Sequence, residues 1–132
     1  MKILFVCSGN VCRSRMAEIF FNALASPLHY AQSAGIQIVR PVGEPRHDFA
    51  SQCMTEKGYN FVEQAPKQLT EGMVVESDAV IVMTENNIPD FLKDSPKVQV
   101  WDIRDFEGAK LEEHRLVANQ IEQKVKGLIK EL

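Results

Sequence analysis

Cys7 and Arg13 are separated by Ser8, Gly9, Asn10, Val11 and Cys12, and Ser14 follows directly. A thiolate is a strong nucleophile and a thiol a poor one; nearby positive charge and N–H donors favour the thiolate. Arg13 supplies a planar guanidinium that can grip two oxygens of one anion. Gly9 and Asn10 accept unusual backbone angles cheaply, so the segment can curl and turn successive amides inward. Ser14 is placed to donate a hydrogen bond to the sulfur. A ring of donors with a thiolate at its base suits in-line attack on phosphorus, through a covalent cysteinyl-phosphate. The expected oxyanion contacts are Ser8, Gly9, Asn10, Val11, Cys12, Arg13 and Ser14, with Cys7 as nucleophile. Spacing alone is a weak signal, since a buried cysteine beside a helix-capping arginine has the same one. The context strengthens it.

That context is a buried strand before the segment and a helix after it. Ile3-Leu4-Phe5-Val6 is a continuous apolar run of the kind parallel sheets bury. Met16, Ile19, Phe20, Ala23 and Leu24 recur at helical spacing, with Pro27 closing the segment. Tyr30 to Ala34 reads as a second strand ending at Gly35. A loop with Pro41, Gly43 and Pro45 leads into a helix from about Arg46 to Lys57, stopped by Gly58. Residues 59–70 read as irregular. Asp78 to Met83 is the clearest buried strand, followed by a short helical stretch over Asn87 to Leu92 and a strand at Val98 to Trp101. A last helix from about Leu111 carries Val117, Ile121, Val125, Leu128 and Leu132 on one face. Strands alternating with helices predict an α/β fold, a three-layer sandwich whose four-stranded parallel sheet is flanked by helices. In such sheets the functional crevice lies beyond the carboxyl ends of the strands, where Cys7, Ser33, Asp102 and Asp105 fall.

The chain of 132 residues is expected to form one domain, 1–132. Its net charge of −3 supplies no basic field for nucleic acid. No apolar run approaches a membrane span, and the opening residues lack a signal-peptide pattern, so a cytoplasmic location is expected. Three cysteines form no disulfide framework. They make no Cys-x-x-Cys pair, and His29, His47 and His114 stand apart, so no metal is expected. Cys53 sits in a packing pattern. His47 and His114 read as surface residues, His29 as partly buried, and Trp101 as core or pocket wall. Lys124, Lys126, Lys130, Glu122 and Glu131 read as a solvated helix face.

The run Cys7-Ser8-Gly9-Asn10-Val11-Cys12-Arg13-Ser14, with Met16-Ala17-Glu18 after it, resembles the signature of the low-molecular-weight protein tyrosine phosphatases. Thioredoxin-linked arsenate reductases share the fold. Ser33-Ala34-Gly35, Gly43-Glu44-Pro45, Gln68-Leu69-Thr70 and Ser77 to Thr84 extend the similarity along the chain. The resemblance implies a phosphatase-type anion-binding loop after strand 1 and no cofactor. It also implies a general acid after the fourth strand. Asp105 matches that acid, with Asp102 as the competing residue and Phe106 where the family has proline. Arg15 replaces a proline and is expected to add charge at the pocket rim. Gln64 replaces a histidine that helps brace the loop in the family, and Phe106 alone remains of an aromatic pair. For Cys12, the resemblance implies a reversible disulfide with Cys7, whereas the residue type suits a small core side chain equally.

The function expected is hydrolysis of a phosphorylated protein or small aryl phosphate. One alternative is arsenate reduction through Cys7 and an external thiol, because no cysteine follows Cys53 to relay a disulfide. A second is oxyanion binding without catalysis. No nucleic-acid or membrane partner is expected, and a monomer is favoured.

Overall fold

The computed structural model describes residues 1–10, 13–38, 49–61, 64–84, 87–103 and 110–132. Four strands, β1 (Lys2–Cys7), β2 (Tyr30–Gly35), β3 (Ala79–Val82) and β4 (Val98–Val100), form one sheet in the order β2-β1-β3-β4. All the pairings are parallel. The helices are α1 (Arg13–Leu24), α2 (Phe49–Glu56), α3 (Glu71–Glu76), α4 (Asp90–Lys93) and α5 (Leu111–Lys130).

The three layers follow from the two-residue period of β1. Ile3, Phe5 and Cys7 share one buried cluster with Met16, Phe20 and Phe21 of α1, Cys53 and Met54 of α2, and Val117, Ile121 and Val125 of α5. Leu4 and Val6 face the opposite cluster, with Val74 of α3 and Leu92 of α4. The same alternation that seats Phe5 in the core therefore delivers the Cys7 sulfur to the α1 side. Phe5 also packs edge-on against Phe21 and tilted against Trp101, centroids 6.1 and 5.7 Å apart. Truncating so central a ring to Ala costs about 3–5 kcal/mol.

The strands and α5 lie where the apolar pattern puts them. Gly58 ends α2 with φ +87°, a left-handed angle that glycine adopts without strain. The expected start of that helix at Arg46 lies outside the described residues. Helix α3 carries no strong apolar stripe and was not expected; its signal is Thr70, whose hydroxyl caps the Met73 amide at 3.3 Å. Two expected surface features are corrected. His114 is buried, its Nδ1 2.9 Å from the Lys110 carbonyl and its ring edge-on to Phe49. Glu122 accepts from Lys57 Nζ at 3.0 Å and Tyr59 Oη at 3.2 Å, tying α5 to the segment after α2.

Candidate active site

Because β2 and β3 flank β1 on opposite sides, the carboxyl end of β1 is the point where the chain's winding reverses. Cys7 is the last residue of β1 and Arg13 the first of α1. The amides of Ile36 and Gln37 donate to the successive carbonyls of Cys7 and Ser8, each at 2.9 Å. A strand turns successive carbonyls to opposite sides, so two facing the β2 side mark the start of a curl. Among the described residues no peptide bond is cis, and a trans peptide sets its N–H opposite its C=O. The amides of Ser8 and Gly9 therefore both face away from β2, as an anion-binding nest requires. Asn10 carries the curl further with φ +55°. The amino end of α1 adds its positive pole.

Gly35 makes the close approach possible. A Cβ there would lie 2.8 Å from the Gly9 carbonyl carbon and 2.9 Å from the Asn10 nitrogen. On the other flank, Ser8 Oγ lies 3.2 Å from Thr84 Oγ1, just past β3.

Asn10 does more than supply a backbone angle. The Lys67 amide donates to its Oδ1 at 2.8 Å, which fixes the orientation of the carboxamide. Its Nδ2 then donates to Ser14 Oγ and Ser33 Oγ, both at 2.9 Å. Ser14 Oγ stands 3.0 Å from Cys7 Sγ. Since Ser14 already accepts from Asn10, its own proton is available to the sulfur. Arg13 is buried, and its Nη1 donates to the Met83 carbonyl beyond β3 and to the Ile103 carbonyl beyond β4, the latter at 3.4 Å. Its fork is thereby tethered to the ends of two strands.

Arg15 is not at a rim. It is 4% exposed, its guanidinium lies 5.8 Å from the Phe61 ring, and its Nη1 contacts Glu18 Oε2 and, at 3.2 Å, Gln64 Oε1. Its neighbour Glu18 accepts from Ser33 Oγ at 3.2 Å. The role of Glu18 escaped the sequence reading, although its i,i+3 spacing from Arg15 was a usable signal. Asp102 is exposed between buried Trp101 and Ile103. Asp105, Phe106, Val11, Cys12 and His47 lie outside the described residues. Cys7 and Cys53 are free thiols, and Cys53 is pushed above its ordinary pKa, chiefly by burial and further by Glu56.

A model of the low molecular weight phosphotyrosine protein phosphatases matches residues 2–132. The chain belongs to that family. The phosphatase YfkJ of Bacillus subtilis is 34% identical over 67% of this chain and 59% of its own length. A glutaredoxin arsenate reductase of Synechocystis is 29% identical over 97% of this chain and 95% of its own. The crystal structure of a low molecular weight protein tyrosine phosphatase from T. tengcongensis superposes with a TM-score of 0.85. It is 29% identical, covering 100% of this chain and 99% of that one. Family membership fits a cysteine-containing loop between the first strand and the first helix, with helices on both faces of the parallel sheet. Among the described residues no helix is long and apolar enough to cross a membrane.

Proposed function

We propose that this chain, acting as one cytoplasmic domain without a cofactor, hydrolyses phosphomonoesters such as aryl phosphates or phosphotyrosine side chains. The observation that carries this reading is the Ser14 hydroxyl in the first turn of α1, 3.0 Å from the Cys7 sulfur at the carboxyl end of β1. Residues 8–14 and the Arg13 fork hold the phosphoryl oxygens, balancing the negative charge that the transition state spreads over them. Cys7 Sγ attacks phosphorus as the bond to the leaving oxygen breaks, and Asp105 gives that oxygen a proton. The aspartate then takes a proton from water, which displaces the sulfur and releases inorganic phosphate. Turnover of para-nitrophenyl phosphate by wild type and not by Cys7→Ser is the expected result. Equal turnover by both would overturn the assignment.

The match to the arsenate reductase over nearly the whole chain favours a second reading. Cys7 would attack arsenate, and an external thiol would supply the reducing electrons. Arsenate consumption with glutathione, without phosphatase activity, would establish that reading instead.

A further inference from the structure

Arg15 and Glu18 form a buried ion pair that the proposed chemistry does not use. Their side chains are 5% and 10% exposed. A pair taken so far out of water contributes little net stability, because desolvation offsets the attraction. The pair is nevertheless the far end of a directed chain of hydrogen bonds. Glu18 can only accept, so Ser33 must donate to its Oε1. The Ser33 oxygen is then left to accept from Asn10 Nδ2, whose other proton goes to Ser14 Oγ. Ser14 in turn directs its proton to Cys7 Sγ. The Lys67 amide on Asn10 Oδ1 prevents the carboxamide from flipping and reversing the order.

We propose that Glu18 and Arg15 are a positioning pair for the nucleophile: Glu18 fixes the Ser33–Asn10–Ser14 chain so that Ser14 donates to the Cys7 thiolate, and Arg15 neutralises Glu18. This rests on Cys7 being the nucleophile. With its proton committed to Glu18, the Ser33 hydroxyl presents its oxygen to Asn10, which holds Asn10 and hence the Ser14 oxygen. Arg15 balances the charge of the Glu18 carboxylate, which would otherwise stand unpaired out of water. The device needs an acceptor at position 18 but no charge of its own once Arg15 is gone.

Two double variants separate positioning from stability. Arg15→Met/Glu18→Gln keeps an acceptor for Ser33, and Arg15→Met/Glu18→Leu does not; both remove the charges together. A cleft of about 430 Å³, lined in part by Arg15, Glu18, Asn22 and Tyr59, leaves room for either set of side chains. Cys7 alkylation by iodoacetamide is followed against pH by mass spectrometry, alongside thermal unfolding and the kcat and KM for para-nitrophenyl phosphate. The expected result for the Leu variant is alkylation near pH 6 slowed roughly 2- to 30-fold, with kcat lowered more than KM is raised. The Gln variant should stay close to wild type at similar thermal stability. A Leu variant with the wild-type pH profile overturns the proposal, as do Gln and Leu variants slowed equally. If either double variant fails to fold, Ser33→Ala cuts the same chain, and an unchanged profile there overturns it too. Alkylation does not require turnover, so a wild type inert toward aryl phosphates would count against the proposed activity and not against the positioning pair.

Discussion

Asn10 donates from Nδ2 to the Ser14 hydroxyl oxygen at 2.9 Å, and this contact decides where the Ser14 proton goes. With its oxygen occupied as an acceptor, Ser14 offers its hydrogen to Cys7 Sγ, 3.0 Å away. Ser14→Ala removes that donor without adding bulk. A hydrogen bond to a charged group contributes about 1.5–3 kcal/mol, so hydrolysis should slow roughly 10- to 100-fold. Steady-state kinetics with para-nitrophenyl phosphate measure it; a wild-type rate would mean that Ser14 does not support the sulfur.

Gly35 is the position where the loop and β2 come closest. Gly35→Ala places a carbon within 3 Å of the backbone at Gly9 and Asn10, and backbone cannot rotate aside as a side chain can. The loop must shift outward, spoiling the alignment of amides over an oxyanion. The expected outcome is weaker protection by phosphate against thermal unfolding together with lower kcat. Undiminished stabilisation by phosphate would contradict the tight approach.

The proton-handling assignment concerns two aspartates three positions apart. Asp105→Asn should slow hydrolysis roughly 10²- to 10⁴-fold, as loss of a general acid does. Asp102, exposed between two buried neighbours, should tolerate Asn with little change. Parallel pH–rate profiles of the two variants check this, and the opposite ranking would move the role to Asp102.

Cys53 carries a pH prediction for stability. Its pKa in the folded chain lies above the ordinary 9.0 because burial disfavours the charged thiolate. The folded state thus holds a proton that the unfolded chain releases first. Its contribution is fully present below pH 9 and is lost as pH rises through the higher folded value. The wild-type melting temperature should fall above pH 9, and less steeply in Cys53→Ala. Parallel slopes for the two proteins would contradict this.

The sheet was legible in the sequence because β1 and β3 are continuous apolar runs, while β2 and β4 are short, partly polar segments placed by Gly35 and by the helical stretches around them. Much of the loop was legible too, since Cys7, Asn10, Arg13 and Ser14 are chemically distinctive types at a strand-to-helix junction. Arg15 was misread because charge suggests solvent. Its burial depends on Glu18 one turn away and on Phe61 and Gln64, which only the folded chain brings together. His114 was misread likewise: Phe49 and the Lys110 carbonyl satisfy its ring in a setting the local sequence does not announce. Helix α3 escaped because six residues are too few to display a period.

Transfer of the phosphoryl group to the sulfur of Cys7 is the step on which the proposed hydrolysis depends. Turnover of an aryl phosphate stopped with acid within its first cycles, followed by peptide mass spectrometry under conditions that preserve phosphocysteine, reads this directly. Attack by Cys7 leaves one added phosphoryl group on the peptide carrying that residue, absent from Cys7→Ser. Sustained hydrolysis with that peptide unmodified, or with the group on another residue, would contradict it.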